Sequence, residues 1–242
     1  MKKLLFLIFI SFIFSCLSDR NEFDNQNSNE SIKKIMPLGA SRVEGDRPNY
    51  ESYRFNLWKY LKQDNLYFDF VGTQSDYSYY PTFEGEEFDI DHEGRGGWTS
   101  GDILDEIGNW LIETETPDIV LFSSPGGNDA LEELPFSQAI NNINSIIDIL
   151  QSENPNIIII IEQMAPARSD IMSDELTYYI QQMHLEILNI STVKTTNTSQ
   201  VIAIDMFTDF NDSLLADDVH YNELGAQFIA FRYYNLLNNL IE

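Results

Sequence analysis

Hydrophobic residues recur along this chain in short continuous runs, which are separated by longer segments with helical spacing of apolar positions. Five runs read as β-strands, and they cover residues 33–38, 68–72, 118–123, 156–163 and 200–206. The stretch at 157–161 consists of five isoleucines. Such a run is typical of a strand that is buried on both faces of a parallel sheet.

Amphipathic helices are predicted between the strands. In one of them, Ile140, Ile143, Ile147 and Leu150 recur at intervals of three and four residues, which places them on one helical face. The predicted helices cover 50–63, 99–112, 135–153, 174–190 and 222–240. The alternation predicts an α/β fold, a three-layer α/β/α sandwich of the flavodoxin-like kind with a five-stranded parallel sheet. The aromatic and acidic stretch 74–91 is expected to be a surface loop that shapes the cleft.

A short targeting segment precedes the predicted domain. A positively charged start is followed by an apolar stretch at 4–14, too short to span a membrane, and then by Ser15 and Cys16. We interpret residues 1–15 as a signal peptide. Cys16 is the only cysteine, and its place resembles that of the lipidated cysteine of bacterial lipoproteins. The alternative is an ordinary secretory signal or an uncleaved anchor.

These features predict export to the bacterial cell envelope, with the protein lipid-anchored to a membrane on its periplasmic or surface side. Residues 16–31 are rich in Asn, Asp, Glu and Ser and predict a disordered tether. Residues 32–242 suffice for one domain.

The net charge of −25 disfavours nucleic acid and anionic membranes, so membrane contact is expected only through the anchor. The charge fits a neutral substrate, although solubility alone explains most of it.

Two polar segments at opposite ends of the chain suggest nucleophilic catalysis. Ser41 follows the first predicted strand, and Asp217 and His220 follow the last. In parallel sheets, ligands bind outside the carboxyl ends of the strands. A serine hydroxyl needs a base, for which His220 is the natural candidate, and Asp217 can orient its ring. The alternative for His220 is a cap at the start of the last helix.

Between these segments lie groups that can stabilise an oxyanion. Asn128 offers a side-chain amide after the third strand, and Gly97 offers a backbone N–H in a glycine-rich turn. The N–H of Ser41 is a third donor. A plain turn and helix start is the alternative for residues 126–129. Of the other histidines, His184 lies in a helical pattern and is expected to be structural, whereas His92 stays a weaker candidate.

Ser41, Gly97, Asn128 and His220 occur in the order of the four landmarks of the SGNH, or GDSL-like, hydrolase superfamily, and Asp217 matches the Asp of its DxxH motif. The chain therefore resembles this superfamily. The resemblance implies a serine esterase with Ser41, His220 and Asp217 as the triad. It also implies an oxyanion hole of Ser41, Gly97 and Asn128, and neither cofactor nor metal.

A closer resemblance is to the third carbohydrate-esterase family, which includes acetylxylan esterases. That family shows IMPLGDSIT, DFVG and HEGHSGW, and this chain has IMPLGASRV at 35–43, DFVG at 69–72 and HEGRGGW at 92–98. This resemblance implies hydrolysis of acyl esters, acetyl above all, on a carbohydrate or another small ester substrate.

The chain departs from that pattern at three places. Ala40 replaces the Asp of Gly-Asp-Ser, Arg42 and Val43 replace Ile-Thr, and Tyr221 replaces the Pro that often follows the histidine. The alternatives are therefore a non-catalytic glycan-binding lipoprotein on the same fold, or a lipase or thioesterase for longer acyl chains.

Four side chains are expected to line a sugar site. Trp98 can stack on a pyranose face, with core packing against the second strand as the alternative. Arg42 can instead pair with one of the many carboxylates. These candidate substrate-binding residues are Arg42, Arg95, Trp98 and Tyr221.

Overall fold

The computed structural model of the protein describes residues 32–241. The predicted signal peptide, the lipidation of Cys16 and the tether at 16–31 lie outside the described residues. The strands are β1 (Lys33–Gly39), β2 (Phe68–Phe70), β3 (Gln74–Ser75), β4 (Asp91–Gly94), β5 (Ile119–Phe122), β6 (Ile158–Gln163) and β7 (Gln200–Asp205). The α-helices are α1 (Ser41–Glu44), α2 (Arg54–Gln63), α3 (Ser100–Glu113), α4 (Gly127–Leu131), α5 (Phe136–Glu153), α6 (Asp174–Lys194) and α7 (Glu223–Ile241).

The strands form one mostly parallel sheet with the order β3-β4-β1-β5-β6-β7, and β2 also pairs with β1. One edge of β1 pairs with β5. On its other edge, β2 pairs with the first half of β1 and β4 pairs with Leu38 and Gly39 at its end. The carboxyl ends of β1, β4 and β5 therefore meet at one end of the sheet, where Ser41 follows β1.

Five of the strands are those that the apolar runs predict, so the α/β fold with a mostly parallel sheet between helices is confirmed. The predicted count of five was wrong, because the described sheet has seven strands. The two additional strands, β3 and β4, lie at the ends of the stretch 74–91, which is therefore not entirely loop. No apolar run marks β4, whose sequence is Asp-His-Glu-Gly, and backbone pairing with β1 and β3 holds it in place.

The isoleucine run of β6 shows how the sheet divides the core. Ile160 packs in the cluster that includes α2 and α7, whereas Ile159 and Ile161 pack in the cluster that includes α3, α5 and α6. All three side chains are fully buried. Burying one such side chain stabilises the fold by roughly 1.5–3 kcal/mol. Within residues 32–241, no helix combines the length and the hydropathy that a membrane span requires.

Candidate active site

A chain of two hydrogen bonds joins the first and last predicted catalytic segments. His220 Nε2 lies 2.8 Å from Ser41 Oγ, and His220 Nδ1 lies 2.7 Å from Asp217 Oδ2. An ionised carboxylate can only accept hydrogen bonds. With Asp217 ionised, Nδ1 must carry the ring proton, and Nε2 is then free to accept the hydroxyl proton of Ser41.

The carboxylate of Asp217 is held by its own loop. Its Oδ1 atom accepts hydrogen bonds from the backbone N–H groups of Val219, at 2.9 Å, and His220, at 2.8 Å. Although partial burial raises the pKa of the Asp217 carboxyl, these two N–H groups and the ring of His220 outweigh it and lower the pKa below its ordinary value. The neighbouring Asp218 pairs instead with Arg168, at 2.5 Å.

Ser41 is presented by a tight passage from β1 into α1. Gly39 ends β1 beside Ser123, the residue after β5, and a Cβ atom on Gly39 would lie 2.8 Å from the carbonyl oxygen of Ser123. Only glycine fits so close an approach. The chain can therefore turn straight from the end of β1 into α1, which sets the Ser41 hydroxyl at the carboxyl end of the sheet.

Tyr50 covers one face of the His220 ring. The two ring centroids are 3.9 Å apart and the rings are within 15° of parallel. Stacked aromatic pairs typically gain about 0.5–1.5 kcal/mol beyond area burial. Partial burial raises the pKa of Tyr50 to about 12, with the charges of Glu44, Asp46 and Asp217 adding to the effect, so its hydroxyl stays neutral. Nothing in the sequence pattern marks Tyr50 as part of this site.

The glycine-rich turn lies opposite Ser41 and leads into α3. Gly97 adopts φ +80°, a left-handed conformation that favours glycine, and it is exposed. The N–H of Gly96 donates to the Glu44 carboxylate at 2.5 Å. A capping box of Thr99 and Asp102 fixes the start of α3 directly after the turn.

Asn128 connects this turn to α4. Its Nδ2 atom donates to the backbone carbonyl of Trp98 at 2.8 Å. The next residue, Asp129, is buried and accepts hydrogen bonds from the N–H and hydroxyl of Ser100, at 2.8 and 2.6 Å. A primary amide has two N–H donors, so one N–H of Asn128 stays available for a ligand.

A cavity of about 60 Å³ opens beside Ser41. Ser41 and Asn128 lie on its polar side, and Gly97 is not among its lining residues. Its apolar wall is formed by residues of α4, α6 and the loop after β6. These are Ala130, Leu131, Met164, Ala165, Ala167, Leu176 and Ile180.

Two of the four expected sugar contacts, Arg42 and Tyr221, are buried against each other, and Arg42 also lines the cavity. Tyr221 is fully buried, and the guanidinium of Arg42 lies over its ring, 4.8 Å from the centroid. Arg42 is 8% exposed, and its guanidinium donates hydrogen bonds to acceptors of the protein. The alternative was that Arg42 pairs with one of the many carboxylates, but within residues 32–241 its acceptors are carbonyl groups and a serine hydroxyl.

Arg95 and Trp98 are partly buried in a cluster with α3. The guanidinium of Arg95 pairs with the buried carboxylate of Glu93 and lies 3.9 Å from the ring centroid of Trp110. Trp98 packs on the same Trp110, with ring centroids 5.5 Å apart. The partner of Trp98 is thus α3 rather than the second strand.

The two remaining histidines have structural contacts. His92 is buried, its Nδ1 accepts from the N–H of Gly94 at 3.0 Å, and burial lowers its pKa to about 2, so the ring stays neutral. His184 Nε2 lies 3.1 Å from the carbonyl oxygen of Met164.

The sequence model of the GDSL-like lipase/acylhydrolase family matches residues 69–228. This range includes Gly97, Asn128, Asp217 and His220, whereas Ser41 precedes it. No curated protein matches the chain significantly in sequence.

Several solved structures share the fold over nearly their full length. A serine-to-alanine mutant of an acetyl esterase with an acetate ion is 29% identical, with a TM-score of 0.75 over 87% of this chain and 98% of that one. A carbohydrate esterase of family 3 from Talaromyces cellulolyticus is 27% identical, with a TM-score of 0.73 and the same coverage. The family 3 carbohydrate esterase of Clostridium thermocellum is 27% identical, with a TM-score of 0.69 over 88% of this chain and 100% of that one. The chain is thus an ester-hydrolysing enzyme and belongs to the GDSL-like lipase/acylhydrolase family.

Proposed function

We propose that this esterase removes acetyl groups from carbohydrate, with Ser41 as nucleophile, His220 as general base and Asp217 as its orienting partner. The observation that carries the proposal is the hydrogen-bond chain from the Asp217 carboxylate through the His220 ring to Ser41 Oγ. The small apolar cavity beside Ser41 and the similarity to acetyl and family 3 carbohydrate esterases support acetyl as the acyl group.

In the first half of the reaction, Ser41 Oγ attacks the acyl carbonyl and its proton passes to His220 Nε2. The carbonyl electrons move to the oxygen. When the tetrahedral intermediate collapses, the bond to the sugar oxygen breaks, and that oxygen takes the proton from Nε2. In the second half, water gives a proton to Nε2 and attacks the acyl-enzyme. Collapse releases acetate and returns the proton to Ser41 Oγ.

Two of the three proposed oxyanion donors belong to residues that line the cavity, Ser41 and Asn128. The N–H of Ser41 lies at the start of α1, where the first N–H groups of a helix have no intrahelical acceptor. The second N–H of Asn128 and the N–H of Gly97 complete the set. The hydrogen bond of Asn128 to Trp98 supports this role because it fixes the amide plane before substrate arrives.

Asn128→Ala should slow turnover by about 10²–10³-fold with little change in KM, because an oxyanion donor acts mostly in the transition state. Steady-state kinetics on p-nitrophenyl acetate measures both constants. Asn189→Ala, which changes an exposed asparagine on α6, is the matched control and should leave both unchanged. An effect of Asn128→Ala on KM alone would assign Asn128 to ground-state binding instead.

The size of the cavity predicts a preference for short acyl groups. The cavity beside Ser41 measures about 60 Å³ and its wall is mostly apolar, which favours a short acyl group over a long chain. Initial rates on p-nitrophenyl acetate, butyrate and octanoate should therefore fall in that order, by on the order of tenfold or more between acetate and butyrate. A rate that is highest with octanoate would favour the lipase alternative.

A pair of helix α6 variants sharpens this test. Ile180→Ala should enlarge the cavity and raise the butyrate rate relative to the acetate rate, because Ile180 is buried against the cavity. Leu188→Ala is the matched control, since Leu188 is on the same helix but is 46% exposed.

Acetate release from acetylated xylan, measured in parallel with the hydrolysis of p-nitrophenyl acetate, tests whether the substrate is a carbohydrate ester. Xylan binding without any Ser41-dependent hydrolysis would favour the binding-module alternative.

We further propose that the enzyme works at the cell envelope, anchored through a lipid on Cys16. The support is the sequence of residues 1–16, with its charged start, apolar stretch and single cysteine. Fractionation of cells that express the full chain or Cys16→Ala tests the anchor, and a Cys16→Ala protein that stays in the membrane fraction contradicts it.

A further inference from the structure

Arg42, the residue after Ser41, is buried in the wall of the site and contacts three other segments. Its Nε atom donates to the carbonyl oxygen of Val219 at 2.8 Å. Nη1 donates to the carbonyl of Ala165 at 2.8 Å and to Ser124 Oγ at 3.2 Å, and Nη2 donates to the carbonyl of Pro166 at 3.1 Å. All three guanidinium nitrogens are thus engaged with the protein, which leaves little capacity for a substrate.

Two of these contacts hold the residues on either side of His220. Nε binds the carbonyl of Val219, immediately before the histidine, and the guanidinium plane covers the ring of Tyr221, immediately after it, at 4.8 Å. A cation over an aromatic ring is attracted by the ring quadrupole. Because Arg42 is also covalently next to Ser41, one side chain spans the nucleophile segment and the histidine segment.

A buried carboxyl group is linked to Arg42 through Ser124. Glu162 at the end of β6 is fully buried and accepts from the N–H of Ser124 at 2.7 Å and the hydroxyl of Tyr233 at 2.7 Å. Burial raises the pKa of Glu162, and the charge of Arg42 counteracts part of this increase. The hydroxyl of Ser124 donates to Glu162 and accepts from Arg42, so hydrogen bonds connect the guanidinium to a buried polar network.

We infer that Arg42 is a positioning residue, a buried strut that sets the distance between Ser41 Oγ and His220 Nε2. Two of the departures from the carbohydrate-esterase pattern, Arg42 and Tyr221, lie in contact with each other. The third, Ala40, has no side chain that caps α1. The strut thus joins the two segments without any help from a carboxylate at position 40. The inference rests on the proposed roles of Ser41 and His220.

Arg42→Met and Arg42→Lys test the strut in the full enzyme. Methionine keeps much of the apolar bulk and removes every donor, so Val219 is no longer held. We expect kcat on p-nitrophenyl acetate to fall by on the order of 10²-fold, because a shift of about 1 Å in a catalytic group has that effect. KM should change far less. The midpoint of the pH–rate profile should also move, because the contacts of the His220 ring change. Lysine keeps the charge and part of the hydrogen bonding and should restore part of kcat.

Arg232→Met is the matched control. Arg232 also donates to backbone carbonyls, those of Asp205 and Thr208, but contacts neither Ser41 nor the His220 segment. Its substitution can lower the melting temperature, but kcat and the pH profile should stay at the wild-type values. If Arg42→Met does not fold, kcat and the pH–rate profile of Arg42→Lys test the strut instead.

Wild-type kcat and an unchanged pH profile in a folded Arg42 variant, with only a lower melting temperature, overturn the strut while the proposed function stands. A rise in KM with unchanged kcat also overturns it, since Arg42 then binds substrate. If Ser41→Ala retains activity, the proposed function fails and the strut fails with it. The proposed function and the strut are both supported if hydrolysis depends on Ser41, if Arg42→Met slows it and if Arg42→Lys restores part of the rate.

Discussion

Ser41→Ala should lower the rate of p-nitrophenyl acetate hydrolysis by about 10⁴-fold or more, because it removes the hydroxyl oxygen that is hydrogen-bonded to His220 Nε2. The side chain lost is small and half-buried, so the fold should keep its stability. Initial rates and the melting temperature, measured on the same preparation, check both statements.

The matched control is Ser145→Ala. Ser145 is a half-buried serine on α5 whose hydroxyl donates within its own helix, to the carbonyl of Asn141 at 2.9 Å. Its loss should leave the rate at the wild-type value. Residual activity of Ser41→Ala within about tenfold of wild type would remove Ser41 from the mechanism, whatever the control shows.

Asp217→Asn should reduce kcat by up to roughly 10⁴-fold through the tautomer of His220. Two backbone N–H groups bind Oδ1, so the amide oxygen of the new asparagine takes that place. Its NH₂ group then faces Nδ1 and donates to it. This moves the ring proton to Nε2, which can no longer accept the proton of Ser41. The variant keeps the shape of the site, so its melting temperature should change little.

Asp218→Asn is the matched control, because Asp218 is the adjacent acid but pairs with Arg168 at the surface. Its rate should stay within a few-fold of wild type. In the wild-type enzyme the lowered pKa keeps Asp217 ionised, so its carboxylate can hold the proton on His220 Nδ1. A harmless Asp217→Asn beside a damaging Asp218→Asn would reverse the assignment of the two acids.

Some features of this protein follow from short segments of its sequence. The isoleucine run of β6 must be buried on both faces, and it is, because burial depends on hydrophobicity that each residue carries by itself. The contact of Asp217 with His220 is also local, since the two are three residues apart in one loop. The family resemblance names the residues of the site because it follows the order of short motifs along the chain.

Other features depend on which distant segments the fold brings together. Ser41 and His220 are 179 positions apart, and only the sheet sets their separation. Strand β4 has no apolar run, and it exists because β1 leaves backbone groups unpaired beside it. The sequence pattern does not mark Tyr50 as a partner of His220, because its stacking depends on the path of the loop before α2.

The burial of Arg42 and Tyr221 shows most clearly what the sequence alone does not predict. An arginine beside the nucleophile and a tyrosine beside the histidine suggest a surface that binds sugar. A charged residue next to a nucleophile is also expected to face the cleft. The fold instead buries both, because Val219, Ala165 and Pro166 offer carbonyl groups that accept the N–H donors of Arg42, and its guanidinium lies over the ring of Tyr221. Sequence alone determined five of the seven strands of the described sheet, the family and the order of the reactive residues. Only the tertiary structure decided which polar side chains face the substrate and which support the site from within, because that depends on partners far away in the chain.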